Sequence, residues 1–205
     1  MKRKVNRSKR AKIGSHGFKV HKNTKVYIGK ATMSKSAVDE DLVELIKNLW
    51  NSNESTKKMR KHIKYISIKN LSSSSRAGSW NLEKQKVEIV QVRHNPDLDW
   101  YEGTFIHEVE GHAFWDFSRK WRRQELIKFN ELANKMPPVN DYVAEYIEDK
   151  RDGRIDTIFE NEQHSAIAEI VMAGKSYHTR TGKRGKVASE EQIEKMKKVW
   201  KEMHY

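Results

Sequence analysis

The chain has 205 residues, no cysteine and a formal net charge of +13. That length suffices for one domain with a hydrophobic core. The absence of thiols excludes disulfides, thiolate metal ligands and a cysteine nucleophile, so a transition-metal site must be built from His and carboxylates.

No apolar run approaches the ~20 residues of a membrane-spanning helix. The charged opening MKRKVNRSKRAKIG lacks the apolar stretch of a secretory signal. A cytoplasmic protein with no membrane partner is expected. The charge is unevenly spread. Residues 1–30 hold 8 Lys and 3 Arg with no Asp or Glu, which leaves 30 basic against 28 acidic groups in the other 175. Residues 1–30 are therefore expected to be a basic, solvated, partly disordered arm. Its alternative use is binding nucleic acid or an acidic partner by counterion release. Within it, VYI at 26–28 reads as a short strand. Residues 31–205 are expected to form a single domain.

Residues 36–51 (SAVDEDLVELIKNLWN) place Val38, Leu42, Leu45, Ile46 and Leu49 at helical spacing, with Ser36 as the expected N-cap. Residues 52–61 are polar and basic. In 64–71, Tyr65 and Ser67 alternate with Ile66 and Ile68, which predicts a strand. SSSSRAGSWN reads as loop. KVEIVQV at 86–92 predicts a second strand, ended by the proline of RHNPDLD. A helix is expected from about residue 99 or 100. Its buried stripe is Phe105, Val109, Ala113 and Phe117. Another should cover 121–135, with Trp121, Leu126 and Phe129 inward and Arg122 and Arg123 in solvent. MPPVN at 136–140 breaks the pattern. Helices over 141–150 and 160–173 follow, and Gly174 suits a C-cap. Ser189 and Gln192 form a capping box for a last helix reaching His204.

HEVEGH, residues 107–112, lies inside the striped helix. A helix advances about 100° per residue, so two histidines at i and i+4 share a face and can ligate one zinc, with the intervening glutamate as base. Here His107 and His112 are five apart. On a regular α-helix they diverge by roughly 140°. A turn widened by one residue, as in a π-bulge, closes that gap. Gly111 permits the irregular backbone such a bulge needs.

A catalytic zinc usually takes three protein ligands and keeps a fourth position open. FENEQHSAIAEIV, at 159–171, supplies the carboxylates. Glu162 and Glu169 are two turns apart and share a helix face with Ala166 between them. One can bind metal while the other orients a ligating His through its second nitrogen. His164 points elsewhere on the wheel.

These motifs resemble those of the zincin metallopeptidases, in particular the glutamate-type branch, the gluzincins. The H-E-x-x-G-H form is similar to that of dipeptidyl peptidase III, and NEQHS at 161–165 matches the first, second and fifth positions of the N-E-x-x-S-D motif of thermolysin-like members. The Asp of that motif is Ala166 here, and the E-E-x-R-A-E-type motif of dipeptidyl peptidase III is absent. The resemblance implies His107, His112 and Glu162 as Zn²⁺ ligands, with Glu169 as the alternative third ligand or as the residue that orients a ligand. It implies Glu108 as general base. It also implies an α+β, minimal zincin-like fold: a small sheet packed on the active-site helix, followed by a mostly helical C-terminal half.

The expected activity is zinc-dependent hydrolysis of a peptide or protein substrate. Tyr142, Tyr146, Tyr177 and His178 are candidate donors to the oxyanion, with Tyr142 and His178 taken as catalytic candidates. By the same resemblance a substrate peptide would pair with an edge strand, either 64–71 or 86–92, with an ordinary central strand as the equal alternative for each. Two other classes fit parts of the chain: a nucleic-acid-associated metalloprotein using the basic arm, and a non-catalytic zincin-like binding protein.

Overall fold

The computed structural model describes residues 18–21, 24–28, 40–52, 54–71, 77–92, 97–147, 158–177 and 187–205. The expected cap at Ser36, the candidate His178 and the first 17 residues of the basic arm lie outside them. The fold is mixed α+β and mostly helical. Two compact units divide the chain, Met1–Phe105 and Ile106–Tyr205. Among the described residues no helix is long and apolar enough to cross a membrane.

The first unit carries the sheet. Its strands are β1 (Phe18–His21), β2 (Thr24–Ile28), β3 (Tyr65–Leu71), β4 (Gly78–Asn81) and β5 (Lys86–Val92), in the order β1-β2-β3-β5-β4. β2, β3 and β5 run parallel, and an antiparallel strand closes each edge. Ile66, Ser67 and Ile68 are buried in succession, as are Ile89 and Val90. Consecutive burial means that both faces are covered at these positions, and strands covered on both faces lose the simple in–out alternation.

β3 and β5 are both central strands, the second of the two readings open for them, because each has a neighbour on both sides. β4 occupies an edge instead. Its residues GSWN are weak strand formers, so it read as loop; pairing with β5, Trp80 opposite Val87, makes it a strand.

Helices α1 (Glu40–Ser52), α2 (Glu54–Met59) and α3 (Leu98–Ile106) complete this unit. The basic stretch at 52–61 thus contains a short helix. Arg60 ties it back: its guanidinium donates to the Trp50 carbonyl near the end of α1, with Nε at 2.9 Å. Asp97 starts α3 by accepting from the amides of Asp99 (3.0 Å) and Trp100 (3.3 Å), which gives an acceptor to donors that a helix N-terminus leaves orphaned. Trp50 meets Phe105 edge-on at 6.2 Å within this core.

The second unit is helical. A seven-residue π-helix, His107–Ala113, leads into α4 (Phe114–Trp121). Then come α5 (Arg123–Lys135), α6 (Asp141–Ala144), α7 (Ile158–Ala173) and α8 (Glu190–His204). α6 ends at Ala144, within the helix expected over 141–150, whose last three residues lie outside the described ones.

α7 is the central element of this unit, packed against the π-helix, α5, α6 and α8. Phe159, Gln163, His164, Ala166, Ile167 and Ala168 are all buried on it. A helix enclosed all round shows little amphipathic contrast. The capping box of α8 is present, with Ser189 N donating to Gln192 Oε1 at 2.9 Å. Trp121 departs from expectation: it is 55% exposed and stacks on Phe117 at the end of α4, while Leu126 and Phe129 point inward.

Candidate metal centre

The extra residue of HEVEGH is absorbed by the π-helix. Its i→i+5 bonding widens the turn, and the rings of His107 and His112 stand 4.7 Å apart, edge to face. The role expected of Gly111 needs correction. Gly174 has a positive φ, at 79°, whereas Gly111 does not. Gly111 is required by close approach. A Cβ there would lie 2.7 Å from the Cα of Ser165 and nearer still to its hydroxyl, so a side chain at 111 would push the π-helix away from α7.

That close contact brings the α7 carboxylates to the imidazoles. His107 Nε2 is 3.2 Å from Glu162 Oε2, and His112 Nε2 is 3.5 Å from Glu162 Oε1. His107, His112 and Glu162 offer one ligand atom each, all within 4.8 Å of one another, and can hold a metal ion. His107 is 3% exposed and Glu162 9%, while His112 keeps 18% of its side chain accessible.

Each imidazole is held through its other nitrogen. His107 Nδ1 lies 2.6 Å from Glu169 Oε1. The other oxygen of Glu169 accepts from the Ser176 hydroxyl at 3.0 Å and from the Tyr177 amide at 2.6 Å. Glu169 is thereby committed to orienting His107, and Glu162 is the carboxylate that faces both Nε2 atoms. His112 Nδ1 lies 3.0 Å from Asn161 Oδ1 and 3.3 Å from the Ser165 hydroxyl, which itself donates to the Asn161 carbonyl. A ring nitrogen engaged this way sets the ring's orientation and, in the neutral ring, makes Nε2 the atom a metal would take.

The electrostatics are severe. Glu162 and Glu169 are buried against the two imidazoles, and Glu108 is buried close enough to Tyr142 for its charge to act on the phenol. Burial disfavours a charged His107, but hydrogen bonds and charge from Glu162 and Glu169 outweigh it and hold its pKa well above the ordinary value. Burial, then the charge of Glu162, the hydrogen bond to Tyr146 and the charge of Glu108 push the Tyr142 phenol upward, so it stays a proton donor. Its ring meets that of His107 at 6.0 Å, and its hydroxyl lies 3.1 Å from that of Tyr146.

Tyr177 enters through its backbone amide; its ring lies under the Lys175 ammonium. His164 is remote in role, boxed by Trp115, Phe129, Phe114, His204 and Trp200. Sequence reasoning missed the orienting parts of Asn161, Ser165 and Ser176, and the N-cap that Asn140 gives α6 by accepting from the Val143 amide at 2.8 Å. Asn161 and Ser165 had a signal as the first and fifth positions of NEQHS, and Asn140 had one as an N-cap type one residue beyond the Pro-Pro break.

No family model, curated protein or solved structure matches the chain.

Proposed function

We propose that this protein is a zinc-dependent metallopeptidase of zincin type, which hydrolyses a peptide bond at His107, His112 and Glu162. One observation carries the reading: a buried His₂Glu group with ligand atoms within 4.8 Å of one another and a glutamate, Glu108, directly after the first ligand. Ligands about 2.0–2.1 Å from a tetrahedral zinc lie roughly 3.3 Å apart. The 3.2 Å and 3.5 Å separations suit that ion. Two buried carboxylates against the two imidazoles also favour a dication, since buried charge is costly unless offset. The partial exposure of His112 is consistent with an open position for substrate.

When bound, zinc polarises a carbonyl and lowers the pKa of water from 15.7 to about 7. The chain supplies the rest. Glu108 takes a proton from the attacking water. As the carbonyl carbon accepts the new C–O bond, the Tyr142 phenol donates to the developing oxyanion. Glu108 then returns the proton to the amine nitrogen as the C–N bond breaks. Glu169 and Asn161 hold the two imidazoles in orientation throughout.

The test is elemental analysis of purified protein as wild type, His112→Ala and Glu162→Ala, followed by assay on a mixed peptide library. One zinc in wild type, lost in both variants, with cleavage by wild type alone, is the expected result. Wild type that takes up no zinc overturns the reading.

A further inference from the structure

Glu169 does not stand alone behind His107. Ser176 donates to its Oε2 at 3.0 Å. The same Ser176 oxygen accepts from Asn140 Nδ2 at 2.7 Å. Asn140 caps α6, its Oδ1 accepting from the Val143 amide at 2.8 Å. α6 carries Tyr142. One unbroken series of hydrogen bonds therefore runs from His107 through Glu169, Ser176 and Asn140 to the helix that bears the phenol.

The local sequence builds this junction. Gly174 adopts φ 79°, a left-handed conformation that glycine reaches without steric cost. The chain turns there at the end of α7. Ser176 and the Tyr177 amide then come back onto Glu169, a residue of that same helix. From the other side, Gln163 of α7 accepts from the Val139 amide at 2.6 Å and donates to the Pro137 carbonyl at 3.0 Å. That pins the segment leading to Asn140 against α7. Asn140 is itself buried. A hydroxyl can donate one bond and accept others, and Ser176 uses both capacities, toward different elements.

We propose that Ser176 is a positioning residue. Its hydroxyl joins the carboxylate that holds His107 to the asparagine that caps the Tyr142 helix, so the metal ligand and the phenol are set together. The proposal rests on the metal-site reading above but reaches beyond it, because neither Ser176 nor Asn140 touches the ligand group.

The experiment compares wild type, Ser176→Ala and Ser176→Thr by two readouts. One is zinc affinity, by competition with a chromophoric chelator. The other is amide exchange at Val143, with and without zinc. Removing groups that orient a metal ligand typically weakens binding 10–100-fold. Ser176→Ala is expected to weaken zinc by about tenfold, at the lower end of that range, and to speed Val143 exchange, with Ser176→Thr restoring both. Wild-type affinity and wild-type exchange in Ser176→Ala overturn the proposal, even if that variant unfolds at a lower temperature, since a merely structural role would give that pattern. If wild type binds no zinc, the peptidase reading falls and exchange in the metal-free protein decides the junction: faster exchange at Val143 in Ser176→Ala supports it, and unchanged exchange overturns it.

Discussion

Gly111 and Ser165 touch so closely that the two helices carrying them have no room for a methyl group: an added Cβ at 111 would stand 2.5 Å from Ser165 Cβ and 2.7 Å from its Cα. Gly111→Ala must therefore move backbone, and the movement separates His112 from Glu162. Overpacking of this kind costs about 1–3 kcal/mol. Urea unfolding should show that loss, and zinc uptake should fall with it. An alanine variant with wild-type stability and wild-type zinc would mean that α7 yields freely.

Asn161 is the partner that turns His112. With its Oδ1 3.0 Å from Nδ1, Asn161→Ala should weaken zinc binding by about 10–100-fold while leaving the unfolding midpoint of the chelator-treated protein nearly unchanged. Competition titration beside thermal unfolding separates the two effects. Equal zinc affinity in variant and wild type would remove Asn161 from the site.

Glu108 is buried, follows His107 in the chain and acts by its charge on Tyr142, without belonging to the ligand group. Glu108→Gln is expected to keep one zinc per chain and to lose peptidase activity by about 10²–10⁴-fold, the usual worth of a general base. Retained activity with retained metal would assign the base elsewhere.

His164 makes the acid response testable. Burial, followed by the charge of His112, lowers its pKa in the folded protein from 6.5 to about 3. The unfolded chain takes up a proton below pH 6.5 and the folded chain does not. The stabilising contribution is therefore complete above pH 6.5 and is lost as pH falls toward 3, at up to about 1.4 kcal/mol per pH unit. Urea unfolding at pH 7 and pH 5, in chelator, should show a smaller loss for His164→Asn than for wild type. Equal losses would place the acid sensitivity on other groups.

How much of this was legible beforehand depends on the range of the interaction. The mixed α+β character, strands β3 and β5, the capping box at Ser189, the stop at Gly174 and the widened turn in HEVEGH all follow from spacing within a few residues. Backbone geometry and capping are local properties, so the residues express them directly. β4 was hidden because GSWN forms a strand only through its pairing with β5. Trp121 was assigned inward by periodicity, yet α4 ends there and Arg122 breaks the helical path at φ −128°, ψ 40°.

The residues by themselves determined which chemistry was possible: no thiol, two histidines on one helix, and two carboxylates on a single face of another. Only the tertiary structure decided how they divide the work. Glu162 faces both Nε2 atoms while Glu169 holds His107 from behind, and the two stand seven positions apart along the same face. The distinction arises from how closely α7 approaches the π-helix at Gly111, and from the return of Ser176 and Tyr177 onto one of the two carboxylates. Both are contacts between distant parts of the chain, set by packing, and no local spacing encodes them.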